Sequence, residues 1–335
     1  MTKPSMTHPI YTAKIIKNDG TKYLLKGVTT DLSLSHPKDE LAEKVSISLV
    51  NVKVGTKDLH TLIALKDKIY VYANTGDGAK EVFRGFVWDR EFYVDNDTEK
   101  ISLICYDRLI YLHNSRDNLF VKKGKQTKDI VTSLAKQWGF KISYKYESVS
   151  HSKLVFQNES IADILTSILN KVKKQTGKKY AIRLEKDVIV IETVGTNSTV
   201  YKVEKKNNAL ATNYRQTMDN MVTKVKIVKT DSSNEENYVT VTSVTKNTAE
   251  YGTLQEILVK GKDDKLADVK KEAQKTVDDS GKPTTEIELK AIDNPWIKKG
   301  HKVYVSAGTL SNYYIVKGIE HDALDATMYL EVKKA

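Results

Sequence analysis

A chain of 335 residues is long enough for two to four domains of ~100–200 residues, with a sizeable buried core. With 40% hydrophobic residues, 16 Gly and only 5 Pro it is not a disordered chain, and its single cysteine, Cys105, excludes an internal disulfide and a cysteine-only metal site. The surplus of 54 Lys and Arg over 43 Asp and Glu leaves +11, a balance that raises nucleic acid or an anionic membrane as partners.

Residues 1–9 hold no apolar signal-peptide core, and no later run approaches the ~20 apolar residues of a membrane span. The expectation is a protein made and folded in a cytoplasm, without a signal peptide. Short alternating or β-branched runs predict strands at 11–16, 23–25, 28–34, 44–49, 68–73, 81–89, 91–95 and 100–106. Asn18-Asp19-Gly20 and Thr75-Gly76-Asp77-Gly78 supply hairpin turns, because Gly, Asn and Asp tolerate positive φ. Many strands and few helices over 1–115 imply a sandwich or barrel.

The period changes over 116–205. Ile130, Val131, Leu134 and Trp138 predict a helix over 126–139, and Ile161, Ile164, Leu165, Ile168, Leu169 and Val172 one over 160–175. The two share a weak repeat, and the second leads into a hairpin of 179–184 and 188–193. Strands return over 206–335, at 221–229, 238–245, 253–259, 284–291, 302–306, 313–320 and 326–332, interrupted by a helix at 265–278 that Gly281 and Pro283 end. The charge follows this division: net +1 over 1–115, +9 over 116–205 and +1 over 206–335.

Residues that could carry chemistry are sparse. Thr75-Gly76-Asp77-Gly78-Ala79-Lys80 lacks the spacing of a phosphate loop and leads into a strand, so it reads as a turn. His36, His113, His151, His301 and His321 each stand alone, with no metal-binding spacing. There is no GxSxG elbow, and Cys105 sits in an apolar strand as a buried thiol. No catalytic residue, metal or cofactor is expected. Lys171, Lys173, Lys174, Lys178 and Lys179 form a basic cluster at the end of the second helix; with few aromatics interleaved, it reads as a solvated or protein-contact surface before it reads as a nucleic-acid site.

Val121-Lys122-Lys123-Gly124-Lys125-Gln126-Thr127, with Ile130 and Leu134-Ala135-Lys136-Gln137-Trp138-Gly139, is similar to the LysM module. Lys125 stands where that module has Asp and the spacing is longer by a few residues, so a LysM-like shape without sugar binding is expected.

The last third carries the resemblance of widest reach. Ala267 to Ala273, Trp296-Ile297-Lys298-Lys299-Gly300-His301-Lys302-Val303-Tyr304-Val305, Tyr313 to His321 and Met328-Tyr329-Leu330-Glu331-Val332 resemble the end of the baseplate hub proteins of contractile phage tails and R-type, phage-tail-like bacteriocins, in the Gram-positive prophage branch. The resemblance implies an α+β, β-rich chain: two tail-tube-like β-barrel domains, 1–115 and 206–335, the latter containing helix 265–278, separated by a basic LysM-like α/β domain, 116–205. It implies a non-enzymatic hub, a trimer whose six barrels form a pseudo-six-fold ring joining the hexameric tail tube to the trimeric spike. Implied partners are copies of itself, the tail tube protein, the central spike protein, the tape-measure protein and other baseplate proteins. No membrane is implied, nucleic acid only passes through the ring, and the assembled particle leaves its cell by lysis. The alternative is a peptidoglycan-binding or lytic tail protein.

Overall fold

The computed structural model describes residues 8–96, 98–230, 237–261 and 264–335. The chain divides into two compact units, Met1–Thr212 with Glu288–Ala335, and Asn213–Ile287.

Strand alternation builds the larger unit. Ile10–Ile16 pairs with Lys22–Leu24 on one side and with Lys68–Asn74 on the other; Ala79–Asp95, Thr98–Tyr106, Lys44–Val50 and Thr29–His36 follow, every pairing antiparallel. Alternate side chains, among them Ile15, Ile47, Ile69, Val71, Ile101, Leu103 and Cys105, are fully buried in one core. The two expected strands at 81–89 and 91–95 are one strand, Ala79–Asp95. The run Asp89-Arg90-Glu91 reads as a break because the side chains of Trp88 to Glu91 are exposed, yet the backbone stays paired after a register shift between Val87 and Asp89, and Phe92 returns to the core.

The sheet does not end where the first third ends. Thr29–His36 pairs antiparallel with Leu310–Asp322, with His36 opposite Ile319 and Ser33 opposite Asp322. Leu310–Asp322 carries Lys302–Ala307 and Thr327–Lys334 as antiparallel neighbours, and Lys302–Ala307 takes Tyr201–Glu204 in parallel. Thr284–Ile292 and Ala209–Thr217 complete the order beyond Thr327–Lys334.

The helices Thr127–Gln137 and Ile161–Thr176 form close to where periodicity places them. Each is followed by a strand, Lys141–Lys145 and Tyr180–Glu185, and both strands flank Val188–Thr193, the first parallel and the second antiparallel. Their shared core also takes in Leu109, Ile110 and Leu112, so the packing of this region begins before residue 116. The short helix Ile110–His113, too brief to show a period, supplies two of those side chains.

The unit Asn213–Ile287 is a three-stranded sheet, Tyr238–Thr245, Lys224–Thr230 and Gln255–Lys260 in spatial order, covered by helix Leu266–Ser280. Val225 and Ile227 of the sheet bury Val269, Ala273 and Val277 of the helix. The helix expected inside a second barrel at 265–278 therefore belongs to a unit of its own. Its strands carry the same alternation as those of the large sheet, and periodicity alone gives no sign of which sheet a strand joins.

Candidate partner-contact surface

Helix Ile161–Thr176 is built to end in cations. Ser160 caps it: its Oγ accepts from the Asp163 N–H at 3.0 Å and donates to the Asp163 carboxylate at 2.6 Å. At the other end Gly177 adopts φ 74° and donates its N–H to the Lys173 carbonyl at 2.9 Å. Asp163 in the first turn and Lys173 and Lys174 in the last both complement the helix dipole. Burial of Ile164, Leu165, Ile168, Leu169 and Val172 on one face turns Lys171, Lys173 and Lys174 outward, and these three and Lys178 and Lys179 beyond the cap are all exposed.

The structure separates those five. Lys178 is ion-paired with Glu147. Lys171 lies near His151, and its charge, after burial, lowers the imidazole's affinity for a proton. Lys173 and Lys179 line a cleft of about 380 Å³ together with Lys299, Lys317 and Lys333. These last three come from the turn before Lys302–Ala307 and from the strands Leu310–Asp322 and Thr327–Lys334. Lys299 donates to the carbonyls of Pro37 and Glu40, each at 2.7 Å, and burial followed by the Lys317 charge lowers it to about 8. Burial also lowers Lys179, helped by Lys333 and Lys173, and Lys317, helped by Lys179, Lys173 and Lys333. Reading the sequence locally finds the helix end and misses the other wall, whose lysines lie more than a hundred residues away.

A second polar group lies inside the larger unit. Asp293 accepts from the Tyr11 hydroxyl at 2.6 Å and lies 2.6 Å from Nδ1 of His321, with the Asp293 and His321 side chains 0% and 7% exposed. Burial, then the Asp293 charge, pushes the Tyr11 phenol far up, so it stays a hydrogen-bond donor. An acid, an imidazole and a hydroxyl this enclosed cross-link strands. A neighbouring cavity of about 590 Å³ is lined by Glu43, Arg84, Asp107, Arg183 and Glu192 among others, and ion pairs hold its walls: Arg84 to Glu81 at 2.6 Å and to Asp187 at 2.7 Å, Arg183 to Glu192 at 2.8 Å. Cys105 is buried, and burial raises its thiol well above the usual range, which makes it unreactive. Among the described residues no three His, Cys, Asp or Glu side chains are grouped to hold a metal ion, and no helix is long and apolar enough to cross a membrane.

Comparison with known proteins places this architecture. XkdQ, a protein of the phage-like element PBSX of Bacillus subtilis (strain 168), is 23% identical over 274 residues, covering 76% of this chain and 82% of its own. The tail protein of Neisseria meningitidis MC58 superimposes with a TM-score of 0.68 at 15% identity over 97% of both chains. A type VI secretion component from E. coli, c3393, described as structurally similar to the phage T4 tail proteins gp27 and gp5, gives 0.54 at 10% identity over 96% of this chain and 76% of its own. These likenesses support the resemblance to baseplate hub proteins drawn from the sequence. The YqbQ-like family profile matches residues 32–333, nearly the whole chain, and the protein belongs to that family.

Proposed function

We propose that this protein is the structural, non-enzymatic hub of a contractile-tail baseplate, three copies of which close a pseudo-six-fold ring between a hexameric tail tube and a trimeric spike. The observation that carries this reading is the joining, through the antiparallel pairing of Thr29–His36 with Leu310–Asp322, of an antiparallel strand group to a second group that is antiparallel but for Tyr201–Glu204. One group spans residues 10–106. The other combines 201–217, 284–292 and 302–334, with 218–283 lying between its strands in sequence. Two such barrels per chain would let one sequence meet a six-fold and a three-fold partner, each lateral edge covered by its neighbour. On this reading the basic region, 116–205 as delimited by charge, stands off the ring as a contact surface for another baseplate or tape-measure protein, and the assembled particle leaves its cell by lysis.

The test is copy number. Quantitative mass spectrometry of purified tails is expected to find three copies per particle; any other number overturns the ring. A muropeptide-release assay is expected to be negative, and cleavage of peptidoglycan would favour the lytic alternative.

A further inference from the structure

The lysine-lined cleft carries more than a general attraction for anions. Lys38 is paired with Glu331 at 2.9 Å and Lys299 is held by two carbonyls, but Lys173, Lys179, Lys317 and Lys333 make no ion pair among the described residues. The fewer carboxylates that share the cleft with these four cations leave it a surplus of positive charge that an arriving anion relieves.

The cleft also contains a strand edge. Tyr180, Ala181 and Ile182 line it, and Tyr180–Glu185 is the outer strand of its sheet, with Val188–Thr193 as its one partner. The Val194 N–H donates to the Lys179 carbonyl at 3.1 Å, so Lys179 faces the inner neighbour. Alternation along an antiparallel strand then turns the backbone N–H and C=O of Tyr180 and Ile182 to the outer edge, toward the cleft. An edge of this kind accepts an extended peptide as an added strand.

The walls choose between anions. Asp39, Glu40 and Asp163 share the cleft with the lysines. A phosphodiester backbone carries charge at every step and would meet those carboxylates, whereas a polypeptide can place its acids selectively. No arginine lines the cleft, and its tyrosine, Tyr180, is tied down through its hydroxyl to the Thr166 carbonyl and Asn170. Among the described lining residues that leaves no guanidinium fork for phosphate, and a single imidazole, His113, in place of the run of stacking faces that successive bases need.

We propose that the cleft receives an extended acidic segment of a partner protein, which adds as a strand along Tyr180–Glu185 while its carboxylates meet Lys173, Lys179, Lys317 and Lys333. The inference rests on the basic region being a contact surface and does not depend on ring closure, so the copy-number test and this one can fail separately.

The experiment uses the full chain and a fluorescein-labelled decapeptide of alternating Glu and Thr, with binding followed by anisotropy at low salt. The triple variant Lys173→Gln, Lys179→Gln, Lys333→Gln is expected to weaken binding by about tenfold or more, while Lys171→Gln, Lys174→Gln, Lys178→Gln, of equal charge loss, changes it less than about twofold. Bound peptide should slow hydrogen exchange at the Tyr180 and Ile182 amides. Absence of binding, equal loss in the two triples, unprotected amides, or tighter binding of a ten-nucleotide single strand would each overturn the proposal.

Discussion

Asp293 and His321 lie 28 residues apart and meet at 2.6 Å inside the core, where the same carboxylate also accepts the hydroxyl of Tyr11. This contact fastens strand Ile10–Ile16 to strand Leu310–Asp322, so the two ends of the chain share one buried polar group. A carboxylate stripped of a partner in such a place costs far more than a surface pair does. His321→Ala is expected to lower unfolding free energy by about 3–5 kcal/mol, and Tyr11→Phe by about 1–3 kcal/mol because one acceptor loses its donor. Urea titration of both variants checks this; losses under about 0.5 kcal/mol would mean that water replaces the missing partners.

Asp107 gives a pH dependence of unusual sign. Burial raises its carboxyl to about 8 against the two backbone N–H groups it accepts, those of Glu43 and Leu109, and Glu43 is raised by burial too. The folded protein thus keeps a proton that the unfolded chain, with a carboxyl near ~3.9, has given up, so stability falls as pH rises from about 4 to 8. His36, lowered to about 3, and His301, lowered to about 4, act in the opposite direction below about 6.5. Between pH 6.5 and 8 the wild type should therefore lose stability more steeply than Asp107→Asn, by up to about 1.4 kcal/mol per pH unit. Parallel curves in that window would show the carboxyl to be ionised throughout.

Gly300 stands at φ 88°, and a Cβ there would come within 2.4 Å of the Ala181 side chain. The turn therefore needs glycine twice, for its backbone and for close packing. Gly300→Ala is expected to lower stability by about 1–3 kcal/mol, and Ala181→Gly in the same chain should recover part of that loss. Thermal unfolding of the single and double variants tests it; a double variant no better than Gly300→Ala would leave backbone strain alone as the cause.

Ser160→Ala removes the cap of helix Ile161–Thr176 and should cost about 1 kcal/mol, while Ser160→Asp should cost much less because its carboxylate can also accept the Asp163 N–H, though beside a like charge. Chemical denaturation separates the two, and equal losses would assign the effect to packing of the Ser160 side chain.

How far these features could be read in advance depended on sequence distance. Periods of two and of about 3.6 residues located the strands Lys44–Val50 and Tyr238–Thr245 and the helix Ile161–Thr176 to within a residue or so, because each period records which side of an element is buried. The same signal did not reveal that Thr29–His36 would pair with Leu310–Asp322 while Lys224–Thr230 would not join that sheet, since alternation is blind to the identity of the neighbour. Lys173 and Lys179 stood out as part of a local charge run. Lys317 and Lys333 did not, because each lies in a strand of small net charge and meets the helix end only after folding. The partner of His321 stayed hidden for the same reason.

The pairing of His36 with Ile319 also sets a timetable for synthesis. A ribosome adding about 5–20 residues per second needs roughly 15–60 s to travel from one to the other, and throughout that interval strand Thr29–His36 is the bare margin of a sheet otherwise able to form. Backbone groups left open for so long invite other nascent chains. The polar Ser33, Ser35 and His36, beside the apolar Leu32 and Leu34, make such encounters less adhesive until the closing strand emerges, Ser35 and His36 being buried once the fold is complete.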